Sequence, residues 1–530
     1  GATNKCPEAN VSIGWCTVAC NGFRCDAATD YYLPSVAIGS CVCSTACASL
    51  SVGWCNQATA TTSSAFGAGL IASGVSSTVV GYNSCATATQ SSAFGFQTYA
   101  TISNATAVGH CTCAITGFGA SAFGFKSTAS AAYTTASGYQ AVASAAQGTA
   151  VGRFALADGV GGSAFGNVAK ASGTNSTAVG YQGCATGTNS SASGYKSCAT
   201  SASSTAVGSL VKATGSGSSA LGYYTCAIGA CSTASGIYSC ATGTSSSAFG
   251  RTAKATGNYS TAIGYSSCAT GTSSSAVGVL SCATTSNSSA FGRSSVACGI
   301  NDLAIGHTAI TVPFAGATNQ CPEANISIGF CTIAQNGYRC DTTTDYYLPS
   351  VAIGSCACSI SCASLSVGIC TIASGECSSA FGVKSCATHL RSSAFGWESS
   401  ATHCNSLAVG WRSCATNNSN SAVGKCAKAT GSSNSSAFGS RPTASGTTAT
   451  SVGYVTTASG TGSSAFGSVS IATGAQSSAF GYRSQATSTN SSALGYCSHA
   501  TGTSSTASGY KSCATGANSS ASGYQSIASG

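Results

Sequence analysis

Residues 260–278 read STAIGYSSCATGTSSSAVG. Within them Ala262-Ile263-Gly264 returns as Ala276-Val277-Gly278, a 14-residue step. The unit S-x-A-(Phe/Val/Ile)-G-Tyr-x-S-x-A-T-G carries this beat in both directions. Its first glycine stands at 39, 53, 67, 81, 95 and 109, then after one 15-residue step at 124, and from there in 14-residue steps to 306. It restarts at 354 and runs to 523, with a second 15-residue step between 424 and 439. A fixed short period is the mark of a solenoid, in which each turn covers the next and no turn is stable alone. The chain therefore reads as a rod, and function moves toward scaffold, fibre or adhesive surface.

A longer period lies over the first. GATNKCPEAN begins at Gly1 and GATNQCPEAN at Gly316, an offset of 315 that also maps Gly39 onto Gly354. Four regions follow: a cysteine-rich insert or joint at 1–34, an array of about 20 rungs at 35–315, a second insert at 316–349, and a truncated array of 13 rungs at 350–530. With no methionine and a second copy cut in mid-array, the sequence reads as a mature or trimmed piece of something longer.

Charged residues are only 5% of the chain, which argues against a disordered polar segment. The net charge of +9 is spread thinly, with no basic run, so nucleic-acid binding has weak support. No apolar stretch is long enough to span a membrane as a helix. Thirty-three cysteines imply an oxidising compartment. Eleven N-x-S/T sequons point the same way: Asn10, Asn104, Asn175, Asn189, Asn258, Asn287, Asn325, Asn417, Asn434, Asn490 and Asn518. Seven of them (104, 175, 189, 287, 434, 490, 518) stand five residues before a beat glycine, one column at a corner of the coil. Sugars there would line one edge; alternatively, asparagine is simply a good corner residue beside abundant serine.

Each beat offers two short strands, as in Ser247-Ala248-Phe249-Gly250 and Ser267-Cys268-Ala269-Thr270. Side chains alternate along a strand, so the alanine and the neighbouring Phe/Val/Ile face opposite ways. A 14-residue coil is narrow, which places the alanines inside. Phe66, Phe94, Phe123, Phe165, Phe249, Phe291, Phe381, Phe395 and Phe438 then form an outer apolar stripe, the usual mark of an interface. The swapped arrangement, with the phenylalanines in the core, stays open at this point. The fold class is all-β: a parallel β-roll or β-solenoid of 14-residue coils, fibrous in habit. Rungs about 4.8 Å apart would give a shaft of roughly 160 Å.

SVAIGS at Ser35–Ser40 and Ser350–Ser355, with the recurring A-T-G-x-x-S-x-A-x-G, resembles the head repeat of trimeric autotransporter adhesins, the YadA-like heads. The resemblance covers most of the chain. It implies a left-handed parallel β-roll with three chains packed around an axis, exposed on a surface. The chain departs from that family in its cysteine content and in its frequent phenylalanine.

Cysteines recur four residues after the beat glycine, and Cys184/Cys198, Cys226/Cys240 and Cys268/Cys282 are 14 apart. On stacked rungs such pairs lie within disulfide reach. Lys170, Lys212 and Lys254 occupy the same column between them. Cys41/Cys55 and Cys356/Cys370 form similar candidates two residues after the glycine. Rung-to-rung staples or small buried thiols both account for the pattern. Residues 1–34 and 316–349 share 26 of 34 positions, with Cys6, Cys16 and Cys25 recurring as Cys321, Cys331 and Cys340. The inserts read as joints between subunits or segments, or as decorated loops bulging from the roll.

No nucleophile–base set, phosphate loop or zinc motif stands in context, so no enzyme and no cofactor are expected. His389 and His403, 14 apart, would stack, as a metal pair or simply as surface rings. The first functional reading is a disulfide-stapled, glycosylated fibre subunit at an extracellular, cell or virion surface. Its partner is itself, as a trimer or end to end, with glycans or an extracellular surface as further candidates. The alternative is an adhesin-like binding rod. A third is an ice-binding solenoid, from the column Thr87, Thr186, Thr242, Thr256 and Thr270.

Overall fold

A computed structural model describes residues 9–20, 33–312, 324–335 and 349–530. The chain divides into two units, Gly1–Asn258 and Tyr259–Gly530. Each is a parallel β-solenoid with no helix among the described residues. In the first unit the opening coil comprises β1 (Val11–Trp15) and β2 (Val18–Ala19), and the next β3 (Val36–Ser40) and β4 (Cys43–Ser44). β1 pairs with β3 and β2 with β4, both parallel. Within each unit every coil repeats this plan, a strand of three or five residues followed by one of two or three.

Two corners turn each coil, and both use left-handed backbone. One is the second residue after the beat glycine, as at Cys55 (φ 51°) or Gln97 (φ 51°). The other lies five before it, as at Asn104 (φ 59°) or Asn189 (φ 55°). Asparagine tolerates that conformation better than most residues. The beat glycine has a different reason. Gly208 has φ 128°, and a Cβ there would stand 1.9 Å from the Gly222 carbonyl oxygen of the next coil. Only glycine supplies both the dihedral and the close backbone approach.

The alanines are inside. Ala65, Ala72, Ala206, Ala213 and Ala479 are all 0% exposed. Serines fill the corner behind them, such as Ser91, whose Oγ donates to the Ala88 carbonyl at 2.7 Å. The largest fully buried side chains are no bigger than Leu70, Val42, Val79 and Val211. A core this narrow excludes phenylalanine, which answers the open question of which face points inward.

Departures from the 14-residue step share one corner, the one after the short strand. The 15-residue step sets Thr106 opposite Ser121, while Tyr99 still faces Cys113. Val423 likewise faces Phe438. The repeated cysteine-rich segments obey the same rule. Gly14 faces Gly39, and in the second unit Gly329 faces Gly354. Leu303–Ile305 pairs onward to Ile326–Phe330, which pairs to Val351–Ser355. Sequence reading set 1–34 and 316–349 apart from the arrays; the structure threads a coil through each, at 11–19 and 326–335. Strand register is kept on both sides of each such step.

Candidate functional site

A core of alanine and serine leaves all the chemistry on outward columns, each built by one position of the repeat. The first precedes the beat glycine. Phe66, Phe94, Phe123, Phe165, Phe249, Phe291 and Phe438 are 36–39% exposed. Phe381 and Phe395 are half-buried and stack on each other at 5.0 Å.

A second column follows the glycine, and sequence reading did not single it out. Tyr82, Phe96, His110, Phe125 and Tyr139 stack face to face, with centroids 5.3, 4.7, 5.0 and 5.0 Å apart. In the second unit Tyr482, Tyr496, Tyr510 and Tyr524 do the same at 5.0 Å spacing. In-register parallel pairing brings like side chains together on one face and is the source of these ladders. Cations lie over the rings. Lys126 is 5.3 Å from the Phe125 centroid, and Arg153 is 4.6 Å from that of Phe154. Arg483 and Lys511 sit over Tyr482 and Tyr510 at 5.4 and 5.3 Å. The signal was present in sequence as the Tyr of the repeat unit, read only as part of the beat.

The thiols form two columns. Cys184 faces Cys198, Cys226 faces Cys240 and Cys268 faces Cys282 in parallel register. A hydrogen bond from Cys198 holds the Cys184 thiol down to about 6, with help from Lys170. Cys240 and Lys212 do the same for Cys226, also to about 6. The donor thiols Cys198, Cys240 and Cys282 are correspondingly raised. Cys184, Cys198, Cys226 and Cys240 stand as thiols in this structure. The corner column is longer than sequence spacing suggested. Because Gly14 is a beat glycine, Cys16 falls in line with Cys41 and Cys55, and all three are left-handed. Cys331 leads Cys356 and Cys370 in the same way. Desolvation and the adjacent Cys41 raise the Cys55 thiol. Cys47 and Cys362, unremarked in sequence, are disulfide-bonded and buried. Cys6, Cys25, Cys321 and Cys340 lie outside the described residues.

The sequon corner is exposed at Asn104, Asn175, Asn189, Asn287, Asn434, Asn490 and Asn518. The Asn287 amide donates to Asn301 Oδ1 at 3.0 Å. Asn258 is also exposed, its Oδ1 accepting from the Thr244 amide, while the half-buried Asn417 donates to the Thr430 carbonyl. Asn10 and Asn325 differ, because the coils at Gly14 and Gly329 put them four residues before the glycine, in the core serine column. The Asn325 side chain is fully buried, its Oδ1 accepting from the Ser350 amide at 3.0 Å. Asn325 is thus buried where the corner asparagines are exposed.

His389 and His403 stack at 5.1 Å. Among the described residues no group of three or more His, Cys, Asp or Glu could hold a metal ion. The threonine column also contains Asp158 and an exposed Ile228, so it is not an unbroken threonine array. No helix among the described residues is long and apolar enough to cross a membrane.

The combination defines a repeat solenoid that presents aromatic, thiol and asparagine columns on its outer surface. The family model for the YadA head domain repeat matches residues 72–110, 116–155, 157–182, 185–210, 241–267, 269–295, 387–413, 444–470 and 472–530. These stretches make up more than half of the chain, which belongs to the YadA head repeat family. No curated protein matches the chain. Heads of this family are surface-exposed adhesins, non-enzymatic in general.

Proposed function

We propose that the chain is the repeat-bearing part of an adhesin-like fibre on an extracellular, cell or virion surface, where several copies associate along their length. The observation that carries this reading is the exposed phenylalanine column on a coil whose core has no room for it. An apolar stripe of this kind costs free energy in water and is best relieved by burial against another copy. Three chains around an axis is the arrangement such heads usually adopt, and it is the state assigned here. The stacked thiols support rung-to-rung disulfide staples formed by exchange with a disulfide-carrying oxidant. The exposed asparagine corner supports glycosylation along an edge that the stripe does not use.

Mass per unit length by electron microscopy tests the assembly. About three chains per cross-section is the expected result. One chain per cross-section, with the stripe still in water, would remove lateral association. A purely structural fibre subunit is the second reading, favoured by the repeated thiol ladders. Saturable attachment to cell or matrix surfaces separates the adhesive role from it. The mixed threonine column gives ice binding the least support.

A further inference from the structure

Sequence alone shows the cations as scattered, but the coil gathers them. Every described lysine and arginine except Arg391 falls on the same edge of the coil within its own unit, at the first, second or fourth residue after a beat glycine. All of them are exposed. In the first unit Lys126, Arg153, Lys196 and Arg251 stand beside the aromatic column, and Lys170, Lys212 and Lys254 on the adjoining short strands. The second unit repeats the arrangement with Lys384, Arg412, Lys425, Arg483 and Lys511 among others. Two acids stand on or beside this edge, the exposed Asp158 and the half-buried Glu398, and Glu398 is paired with Arg412 at 2.6 Å. The phenylalanine stripe and the sequon corner carry no lysine, and Arg391 alone sits near the latter.

We propose that this basic, aromatic edge binds a linear anionic polysaccharide bearing carboxylates or sulfates, laid along the stack of coils within a unit. The inference rests on the surface-fibre reading and gives that fibre a ligand class. Three observations favour such an occupant. The charge is one-sided, which attracts and orients a polyanion. In stretches such as Tyr482–Tyr496–Tyr510 the rings stack on each other, so those faces are taken by neighbouring rings. Those stretches offer few open ring faces, the feature on which single-stranded nucleic acid depends. The charge is also sparse. Lys126 to Lys254 spans nine coil steps, about 43 Å, or roughly one cation per 6 Å. A nucleic-acid duplex carries a charge every ~1.7 Å, several times denser than the edge could neutralise. A polysaccharide charged once per sugar or per disaccharide matches it better.

The test uses the full chain and heparin as the sulfated probe, with neutral dextran and a single-stranded oligonucleotide as comparators. Retention on heparin that weakens steeply with salt is expected, with no competition by dextran. Lys126→Gln and Lys196→Gln in the first unit, combined with Lys511→Gln in the second, should weaken binding severalfold, as losing two exposed ion pairs in one unit and one in the other implies. Circular dichroism and assembly state should be unchanged, since none of the three is buried. Absent heparin binding, equal binding by the triple variant, or tighter oligonucleotide binding would each overturn the proposal. Loss of heparin binding with intact trimers sinks this inference alone. Heparin binding by a chain that never assembles sinks the fibre reading alone.

Discussion

The carbonyl oxygen of Gly222 stands 1.9 Å from the point that a Cβ on Gly208 would occupy. The two glycines face each other on neighbouring parallel strands, and Gly208 has φ 128°. The contact is backbone on backbone, so no side chain can move aside. Gly208→Ala should therefore destabilise by about 3 kcal/mol or more, the dihedral alone costing roughly 1–3. Gly69 is the contrast. Its φ of 66° lies in the left-handed region that Asn83 (48°) and Gln97 (51°) occupy in the same column, and its Cβ would meet first the end of the Asn83 side chain. Gly69→Asn should stay within about 0.5 kcal/mol of the parent. Denaturant unfolding of both variants checks the pair, and equal losses would contradict the backbone argument.

Ala479 and Phe480 are adjacent in sequence and opposite in fate, 0% and 37% exposed. Ala479→Leu should cost about 1–3 kcal/mol by overpacking a core that has no slack. Phe480→Ser, in which the ring stacked on Phe466 at 4.8 Å is lost, should leave the coil folded and weaken self-association. Sedimentation equilibrium of folded Phe480→Ser decides it. A full-size assembly would mean that the stripe is not the contact.

The Cys184–Cys198 pair shares one proton, and its pH dependence follows from that. Cys184 is depressed to about 6 from the usual thiol value near 9, chiefly by the Cys198 hydrogen bond. A depressed acid stabilises the fold above the unfolded value, and this contribution fades as pH falls through about 6. Cys198 is raised, so above pH 9 the unfolded chain ionises where the folded chain does not, and stability falls again. Stability of the reduced protein should peak near pH 9. Alkylation of Cys184 should switch on near pH 6, and Lys170→Gln should move that midpoint upward. An alkylation profile centred near 9 would contradict the pairing.

Oxidised glutathione should convert these pairs to disulfides between neighbouring coils. Peptide mapping should then find Cys184 joined to Cys198 and Cys226 to Cys240. Closing such a loop of about 15 residues adds roughly 3 kcal/mol, read as a higher thermal midpoint. Mixed glutathione adducts in place of these bonds would show that the coil geometry forbids the staple.

Expression in a glycosylating secretory host should place glycans at the exposed Asn104, Asn189 and Asn490 and none at Asn325, whose side chain is fully buried. Site-resolved mass spectrometry gives the answer. Occupancy at Asn325 in folded protein would contradict the coil drawn through 326–335.

Much of this molecule is determined by sequence alone. A 14-residue period with one glycine and two alternating alanines fixes coil size and sets the alanines and the Phe/Val/Ile positions on opposite faces, because strand side chains alternate. Which of the two faces is outer was decided by the structure, with Ala248 0% and Phe249 39% exposed. Tertiary structure decided what sequence distance conceals. Gly14 and Gly329 became beat glycines only once their partners, off the regular step at Gly39 and Gly354, were seen in register. That register carried Cys16 into line with Cys41 and Asn325 into the core. Within each unit it also drew tyrosines and lysines, dispersed along the chain, onto one edge of the coil. The physical reason is common to all of these: a solenoid sums residues by their place in the coil, and a corner loop can change the count along the chain without changing that place.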